Sequence, residues 1–382
     1  MGYDSFGIHS ENYAIKIGEK PQEVVNRTTK NYEKQMRALG HGYDWTRTVT
    51  TSDPDYYKWT QWLFIEMYKA GLAYRKKAEV NFCPSCKTVL ADEQVIPASS
   101  AGGDGACERC QTVVEKKDLE QWFFKITDYA DRLLEGLDKI DWSERVKIAQ
   151  KNWIGKSEGR IIKFDDINTG EALEIYTTRP ETLNSATFIA ISGTKDKFTG
   201  KYVINPLTNK KIPVWKATYV LSEYGTGAIM GVPAYDERDM VFAKENGIDI
   251  VKLPFKKHDL GIKKVNYHLR DWLVSRQRYW GAPIPMIDCS KCGWQVDENL
   301  PVLLPDIKDY QPEGNGRGPL ANHPEFYETK CPKCGGKARR ETDVMDTFVD
   351  SSWYFLRYPS VSARSGSALS TVSSTVPQSG TI

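Results

Sequence analysis

No cysteine in this chain stands outside a pair, no sign of charge dominates, and no apolar run approaches the length that spans a membrane. The N-terminal stretch lacks the basic-then-apolar pattern of a secretory leader. These absences argue against a disulfide-stapled secreted domain, and a cytoplasmic location is the expectation, since a reducing cytosol fits reduced, metal-ready cysteines. The 52 basic and 50 acidic side chains leave a formal net charge of +2. That balance argues neither for nor against nucleic acid, because an RNA-binding surface can be local within a neutral total. A length of 382 residues with 40% hydrophobic content allows two or three domains with real cores.

What is present begins with the cysteines. All eight fall into four Cys-x-x-Cys pairs: Cys83/Cys86, Cys107/Cys110, Cys289/Cys292 and Cys331/Cys334. A tetrahedral zinc ion takes four soft thiolates, and a tight turn carrying two of them supplies half a site. Twenty residues separate Cys86 from Cys107, as in a zinc ribbon or knuckle, and 38 separate Cys292 from Cys331. Disulfides or redox pairs are the competing reading; an unsecreted chain rarely uses the first, and four redox pairs would be unusual. Two structural zinc sites are expected, since four thiolates leave no open position for catalysis.

Helical patterns follow from periodicity. Asp53-Pro54 reads as a cap and first helical position, followed by a stripe of Trp59, Leu63, Phe64, Met67 and Tyr68 that Gly71 stops. Residues 21–39 read as a helix, as do residues 117–135, with Leu119, Trp122, Phe123, Ile126 and Leu133 on the buried side. From Gly159 to Pro233 short β-rich runs alternate with turn clusters, which reads as a β-rich domain inserted into a more helical one. A helix over 236–246 follows, stopped by Gly247. The final 24 residues, from Pro359, hold eight serines and three threonines with no periodicity, and are expected to be disordered.

Six separated blocks carry a family likeness. They are Gly2-Tyr3-Asp4-Ser5-Phe6-Gly7 with Glu11-Asn12; Tyr56 to Trp62; Asn81 to Cys86; Asn152 to Gly159; Arg270-Asp271-Trp272 with Ser275 to Gly281 and Pro283-Ile284-Pro285; and Asp346 to Tyr354. Together they resemble bacterial-type leucyl-tRNA synthetases, class I enzymes, over residues 1–358. The resemblance implies an α/β fold: a partial Rossmann-type catalytic domain with an inserted β-rich editing domain and zinc-ribbon modules. Its expected segments are residues 1–75 and 256–285 for the catalytic domain and 76–155 for the zinc module with connecting helices. The shortened editing domain takes 156–255, the second ribbon 286–342, the leucine-pocket helix 343–358 and the tail 359–382.

The implied activity is ATP-dependent leucylation of tRNA with hydrolytic editing of mischarged tRNA. The implied partners are leucine, ATP with magnesium, and tRNA(Leu), acting on a monomer. By resemblance Asp4 binds the leucine ammonium, and Phe348, Ser351 and Tyr354, spaced by three along one helix face, wall the side-chain pocket. Read without the family, Asp4 is an exposed carboxylate and the two aromatics are ordinary packing. A hydrophobic pocket separates amino acids differing by a methyl group by only about 1–3 kcal/mol, which is why such enzymes carry a second, hydrolytic site. Thr177-Thr178-Arg179-Pro180-Glu181-Thr182 resembles its threonine-rich motif, with Thr182 excluding leucine and Thr177, Thr178 and Arg179 lining the ester region. Gly225 to Asp239 resembles the second editing block, whose Asp239 grips the ammonium. The plainer reading is a strand end and, at Asp236, a helix cap.

Departures accompany the likeness. After Ile191 the chain runs almost directly to Phe198, where the family carries a longer segment. Glu181, Asn184-Ser185, Tyr235 and His9-Ser10 also depart from the family pattern. Neither the His-Ile-Gly-His-type nor the Lys-Met-Ser-Lys-Ser-type signature occurs, and the chain is expected to be a fragment unable to activate leucine alone, testable by leucine-dependent pyrophosphate exchange. Two rival readings are a stand-alone deacylase built on Thr182 and Asp239, and a non-catalytic zinc-ribbon protein gripping RNA through Arg276, Arg278, Tyr279 and Trp280.

Overall fold

The structure is a computed structural model that describes residues 1–91, 94–96, 105–220 and 225–360. It forms two compact units: Met1–Lys125 with the chain from Asp271 onward, and Ile126–Arg270.

The first unit opens with β1 (Gly2–Tyr3), which pairs in parallel with β2 (Val49–Thr50). Between them lie α1 (Ile8–Ile17), closed by Gly18 in the left-handed region, and α2 (Pro21–Ala38), whose proline occupies the first turn. α3 (Pro54–Lys69) starts after Asp53 and ends just before left-handed Gly71, as the sequence indicated. Its buried face is rotated from the expected stripe: Tyr56, Tyr57, Phe64 and Ile65 are inside, together with the polar Thr60 and Gln61. Gln61 is satisfied there by the carbonyls of Pro283 and Val302 at 3.0 and 2.9 Å. A buried amide with its partners in place costs little, so periodicity of apolar residues alone misplaces the face.

β3 (Ala73–Cys83), β4 (Thr88–Leu90), the short pair β5 (Val95–Ile96) and β6 (Ala106–Cys107), and β7 (Glu115–Phe124) follow. β7 overturns the helix expected over 117–135. It pairs antiparallel with β3 across ten residues, from Phe82↔Glu115 to Ala73↔Phe124. Gln121 to Phe124 are covered on both faces, so their run of apolar residues mimics a helical stripe. Phe64 of α3 meets Trp122 at 5.5 Å and Phe124 at 5.6 Å. A 3-10 helix over Ile126–Tyr129 leads into an α-helix that begins only at Ala130, and Leu133, expected inside, is half exposed.

The second unit holds α4 (Ala130–Leu137), α5 (Glu144–Ile154), β8 (Ser157–Asp166), β9 (Ala172–Thr177), β10 (Phe188–Ser192), β11 (Lys197–Ile204), β12 (Lys211–Ala217), β13 (Ala228–Gly231), α6 (Glu237–Glu245) and β14 (Ile262–Asn266). The β-rich insertion is as the sequence implied. Its strands run in the order β13-β10-β12-β11-β8-β14, with β9 on β8, and β10–β12 is the parallel pair. Ile162, Phe164, Ile175, Leu183, Ile189 and Val214 fill its core. The helix expected over 236–246 is α6, capped by Asp236, whose side chain accepts from the amides of Arg238 and Asp239 at 2.9 and 3.2 Å.

The first unit then resumes with β15 (Trp272–Leu273) on β7 and β16 (Ser275–Arg276), which pairs with β21 (Val344–Met345). A four-stranded sheet in the order β18-β17-β20-β19 lies between them, from β17 (Met286–Cys289), β18 (Gly293–Val296), β19 (Glu328–Lys330) and β20 (Lys337–Arg340). The described chain closes on two short helices, Thr347–Ser351 and Tyr354–Arg357, and a 3-10 turn at Tyr358–Ser360. From residue 361 on, the expected disordered tail lies outside the described residues. No helix among the described residues is long and apolar enough to cross a membrane.

Candidate active and metal sites

Asp4 follows β1 and faces solvent. Its Oδ1 accepts from the hydroxyls of Thr51 and Thr347, each at 3.3 Å. Desolvation on its inner side raises the carboxyl above the ordinary value; the hydroxyls of Ser351, Thr51 and Thr347 oppose the rise and nearby Asp346 adds to it. Gly7, three residues on, has φ +112°, and a Cβ there would sit 3.2 Å from Thr347 Cγ2. The positive φ favours glycine, and the close approach adds to that preference. Asp4 also lines a cavity of about 330 Å³ with Met1, Tyr3, Ser10, Val25 and Tyr32.

The fold thus brings Ser351 to Asp4, but it separates the other two pocket candidates. Phe348 and Tyr354 are about half exposed and do not line that cavity. The single helix expected to align 348, 351 and 354 is broken at Ser352 and Trp353. Trp353 donates Nε1 to Thr60 Oγ1 at 3.0 Å and packs on Tyr56 at 4.6 Å, which draws the backbone out of the helical path. Asp350 is fully buried: one oxygen accepts from Thr60 at 2.8 Å, and burial raises its carboxyl well above the ordinary value.

In the second unit the threonine-rich block leaves β9 and winds into a 3-10 turn over Pro180–Ser185. Thr177 Oγ1 accepts from the amide of Arg179 at 3.1 Å, and Thr182, wholly buried, donates to the Arg179 carbonyl at 2.8 Å. Pairing of β10 with β13, Phe188↔Gly231, sets this turn beside the second block. There Asp239 is buried with one oxygen accepting from Tyr219 OH at 2.7 Å and the other from the Val232 amide at 2.8 Å. Desolvation raises its carboxyl; the Val232 amide and Tyr219 hydroxyl lower it and Asp236 raises it. A carboxylate has about four acceptor positions, so these two bonds still leave room for a cation.

Sequence reasoning missed the segment 253–258, which binds the threonine-rich turn. The Lys256 amide donates to Glu181 O at 3.0 Å, Asn184 Nδ2 to Pro254 O at 2.7 Å, and the Leu253 amide to Ser185 Oγ at 3.1 Å. Tyr235 OH donates to Leu253 O. Phe255 lies 4.8 Å from the Tyr235 ring and 5.5 Å below the Arg179 guanidinium. Glu181, Asn184, Ser185 and Tyr235 are four of the positions that depart from the family pattern, so the departures themselves were the available signal.

The four Cys-x-x-Cys pairs combine as the spacing implied: Cys83, Cys86, Cys107 and Cys110 in one group, Cys289, Cys292, Cys331 and Cys334 in the other. All four sulfurs of each group lie within 4.8 Å of one another. Cys110 Sγ is 3.4 Å from Cys83 Sγ and 3.6 Å from Cys86 Sγ, and Cys289 and Cys334 are 3.7 Å apart. A tetrahedron with zinc–sulfur bonds of about 2.3 Å has edges of about 3.8 Å, so both groups can hold such an ion. The residue after each pair is left-handed: Lys87 (φ 55°), Gln111 (φ 58°), Gly293 (φ 69°) and Gly335 (φ 69°).

The basic-aromatic run proposed to grip RNA is interior instead. Arg276, Arg278, Tyr279 and Trp280 are all buried. Arg276 pairs with Asp346, and Arg278 lies 3.0 Å from Glu11. Charges held in such pairs are unavailable to phosphates.

Comparison with known proteins gives a consistent picture. The model for class I tRNA synthetases (I, L, M and V) matches residues 9–161 and 244–370, and that for the leucyl-tRNA synthetase editing domain matches 151–197 and 193–271. The chain is 46% identical to the leucine–tRNA ligase of Clostridium tetani (strain Massachusetts / E88), with 94% of this chain aligned to 52% of that protein. It is 45% identical to that of Thermotoga maritima over the same shares. Thus it spans about half the length of the curated relatives it matches. The alignment to the Clostridium protein runs over 433 positions, more than the 382 residues here, so that relative carries segments without counterpart in this chain. A crystal structure of the ternary complex of Agrobacterium radiobacter K84 agnB2 LeuRS-tRNA-LeuAMS superposes with TM-score 0.82 at 38% identity, covering 94% of this chain and 51% of that one. The chain belongs to the class I tRNA synthetases of the isoleucine, leucine, methionine and valine group, and it carries the editing domain of a leucyl-tRNA synthetase.

Proposed function

We propose that this chain serves leucine–tRNA ligation: it contributes the leucine-ammonium contact at Asp4 and a hydrolytic site for mischarged tRNA between the threonine-rich turn and Asp239. The observation that carries the reading is the meeting of two blocks about fifty residues apart in sequence: the Tyr176 amide, just before Thr177, donates to Thr226 Oγ1 at 3.4 Å, and β10, which follows the threonine-rich turn, pairs with β13 of the second block. In the hydrolytic site the Asp239 carboxylate would hold the ammonium of the wrong amino acid, a charge-assisted bond that fixes the ester against the turn. Thr177, Thr178 and Arg179 would line the ester and its ribose, and Thr182 would limit side-chain size.

The substrates of the whole reaction would be leucine, ATP with magnesium and tRNA(Leu), with the chain acting as a monomer. Ser351, which adjoins Asp4, is retained in the leucine-site reading; Phe348 and Tyr354 would reach substrate only with a rearrangement of their segment. Zinc would be held by Cys83, Cys86, Cys107 and Cys110 and by Cys289, Cys292, Cys331 and Cys334, cross-linking loops without an open coordination position.

A second reading, a stand-alone deacylase, is favoured by one observation: both hydrolytic blocks lie in a single compact unit with its own core. Deacylation of isoleucyl- or norvalyl-tRNA by the purified chain tests the hydrolytic site, and leucine binding tests the Asp4 site. Hydrolysis without leucine binding favours the deacylase; neither activity overturns both.

A further inference from the structure

We propose that Arg278 is a positioning residue through which the first four-cysteine knuckle sets the conformation of the loop bearing Asp4. The argument is a continuous chain of short contacts. Arg278 Nη1 donates to the carbonyl of Cys86 at 2.7 Å, and Nη2 donates to Asn12 Oδ1 at 2.5 Å. Its Nε lies 3.0 Å from Glu11 Oε1, and both side chains are almost wholly buried. The other Glu11 oxygen accepts from the Trp280 amide at 2.8 Å. Trp280 in turn donates Nε1 to Ser5 O at 2.8 Å, accepts from the Gly7 amide at 3.1 Å, and packs its ring on Phe6 at 5.0 Å.

Ser5, Phe6 and Gly7 are the residues directly after Asp4. The helix that follows, α1, which carries Glu11 and Asn12, touches the knuckle at two further points: Ile8 packs with Cys83, Cys86 and Cys107, and Arg109 Nε donates to His9 Nε2 at 3.2 Å. A guanidinium fork suits this role because it fixes two directions at once, which a lysine cannot do. The second knuckle packs instead with Ile287 and Ala338 of its own small sheet. Four thiolates at the first site would therefore do more than cross-link a loop. They would hold the Cys86 carbonyl where Arg278 needs it, and through Glu11 and Trp280 hold the Asp4 loop.

The inference rests on reading Asp4 as the ammonium-binding residue; its test is run without leucine, so leucine binding and the coupling can fail separately. Hydrogen exchange of the amides in Ser5–Asn12 is measured on the full zinc-loaded chain, with zinc content determined alongside. Cys107→Ser/Cys110→Ser and Arg278→Gln are each expected to speed this exchange about tenfold or more, and the combination to add little beyond either alone. Arg278→Lys, which keeps the charge but not the fork, is expected to remain fast. Cys331→Ser/Cys334→Ser is expected to leave the segment unchanged. A merely structural Arg278 would speed exchange equally in α3, whereas positioning confines the change to Ser5–Asn12. Should the first-site variants fail to fold, the Cys331→Ser/Cys334→Ser chain is titrated with a chelator, so that only first-site zinc is removed. Exchange in Ser5–Asn12 that follows that zinc supports the coupling; exchange indifferent to it, or additive effects of the two lesions, overturns it.

Discussion

Two carboxylates in this molecule are candidates for the same task, holding a substrate ammonium, and they are built in opposite ways. Asp4 is exposed on a loop, surrounded by hydroxyls of Thr51, Thr347 and Ser351, and braced from behind by the Trp280–Glu11–Arg278 network. Asp239 is buried in the first turn of α6 and held by one amide and one phenol. The exposed group gives little up to solvent competition only if its loop is held rigid, hence the long bracing. The buried group needs little bracing, because low dielectric strengthens each contact it makes. That difference predicts different sensitivities.

The largest effect expected is at Asp239. Asp239→Ala removes a charge-assisted contact of about 1.5–3 kcal/mol, so deacylation of norvalyl-tRNA should fall about 10–100-fold while tRNA binding holds. Asp4→Asn should weaken leucine binding over a similar range, read by calorimetry. If instead Asp4→Asn weakened deacylation and Asp239→Ala weakened leucine binding, the comparison would be broken.

The pH responses sharpen it. Burial raises Asp239 above its ordinary value of 3.8, and the ammonium-gripping form is the charged one. Deacylation should therefore fall as pH drops through a midpoint above 3.8. Stability runs the other way. The raised group contributes fully below 3.8 and loses that contribution as pH rises through the folded-state value. Asp239→Asn should thus melt higher than the native chain near pH 8 and converge with it near pH 4, a comparison made by thermal unfolding at matched salt.

Smaller effects test the supports. Tyr219→Phe leaves Asp239 with one fewer donor and should cost deacylation about fivefold, a net hydrogen bond of about 1 kcal/mol. Smallest are the knuckle turns, where the sites also differ. Gln111 occupies a left-handed position that Gly293 and Gly335 fill without strain. Gln111→Gly should stabilise by up to about 1 kcal/mol, and Gly335→Ala should destabilise by about 1 kcal/mol, both read from denaturant midpoints.

Local signals were the legible part of this sequence. The cysteine pairs and their combination, α2, α3, α6 and the β-rich insertion followed from spacing, proline and glycine positions, and alternation. The strand at 115–124 was not legible, because its last four residues, covered on both faces, carry the same apolar density as a helix stripe. The break at Ser352–Trp353 depends on Trp353 reaching Thr60 and Tyr56 almost three hundred residues away. The burial of Arg276 and Arg278 depends on Asp346 and Glu11, partners 70 and 267 residues away in sequence. Nothing in the local sequence distinguishes such arginines from ones that face solvent. The contacts of residues 253–258 were foreshadowed only by odd residues at Glu181, Asn184, Ser185 and Tyr235, which mark a change without saying what it meets.

The measurement closest to the central claim is single-turnover deacylation of norvalyl-tRNA by the native chain beside Asp239→Ala. The account predicts hydrolysis well above the uncatalysed rate, lost in the variant and declining in acid. Equal rates for both proteins would contradict it.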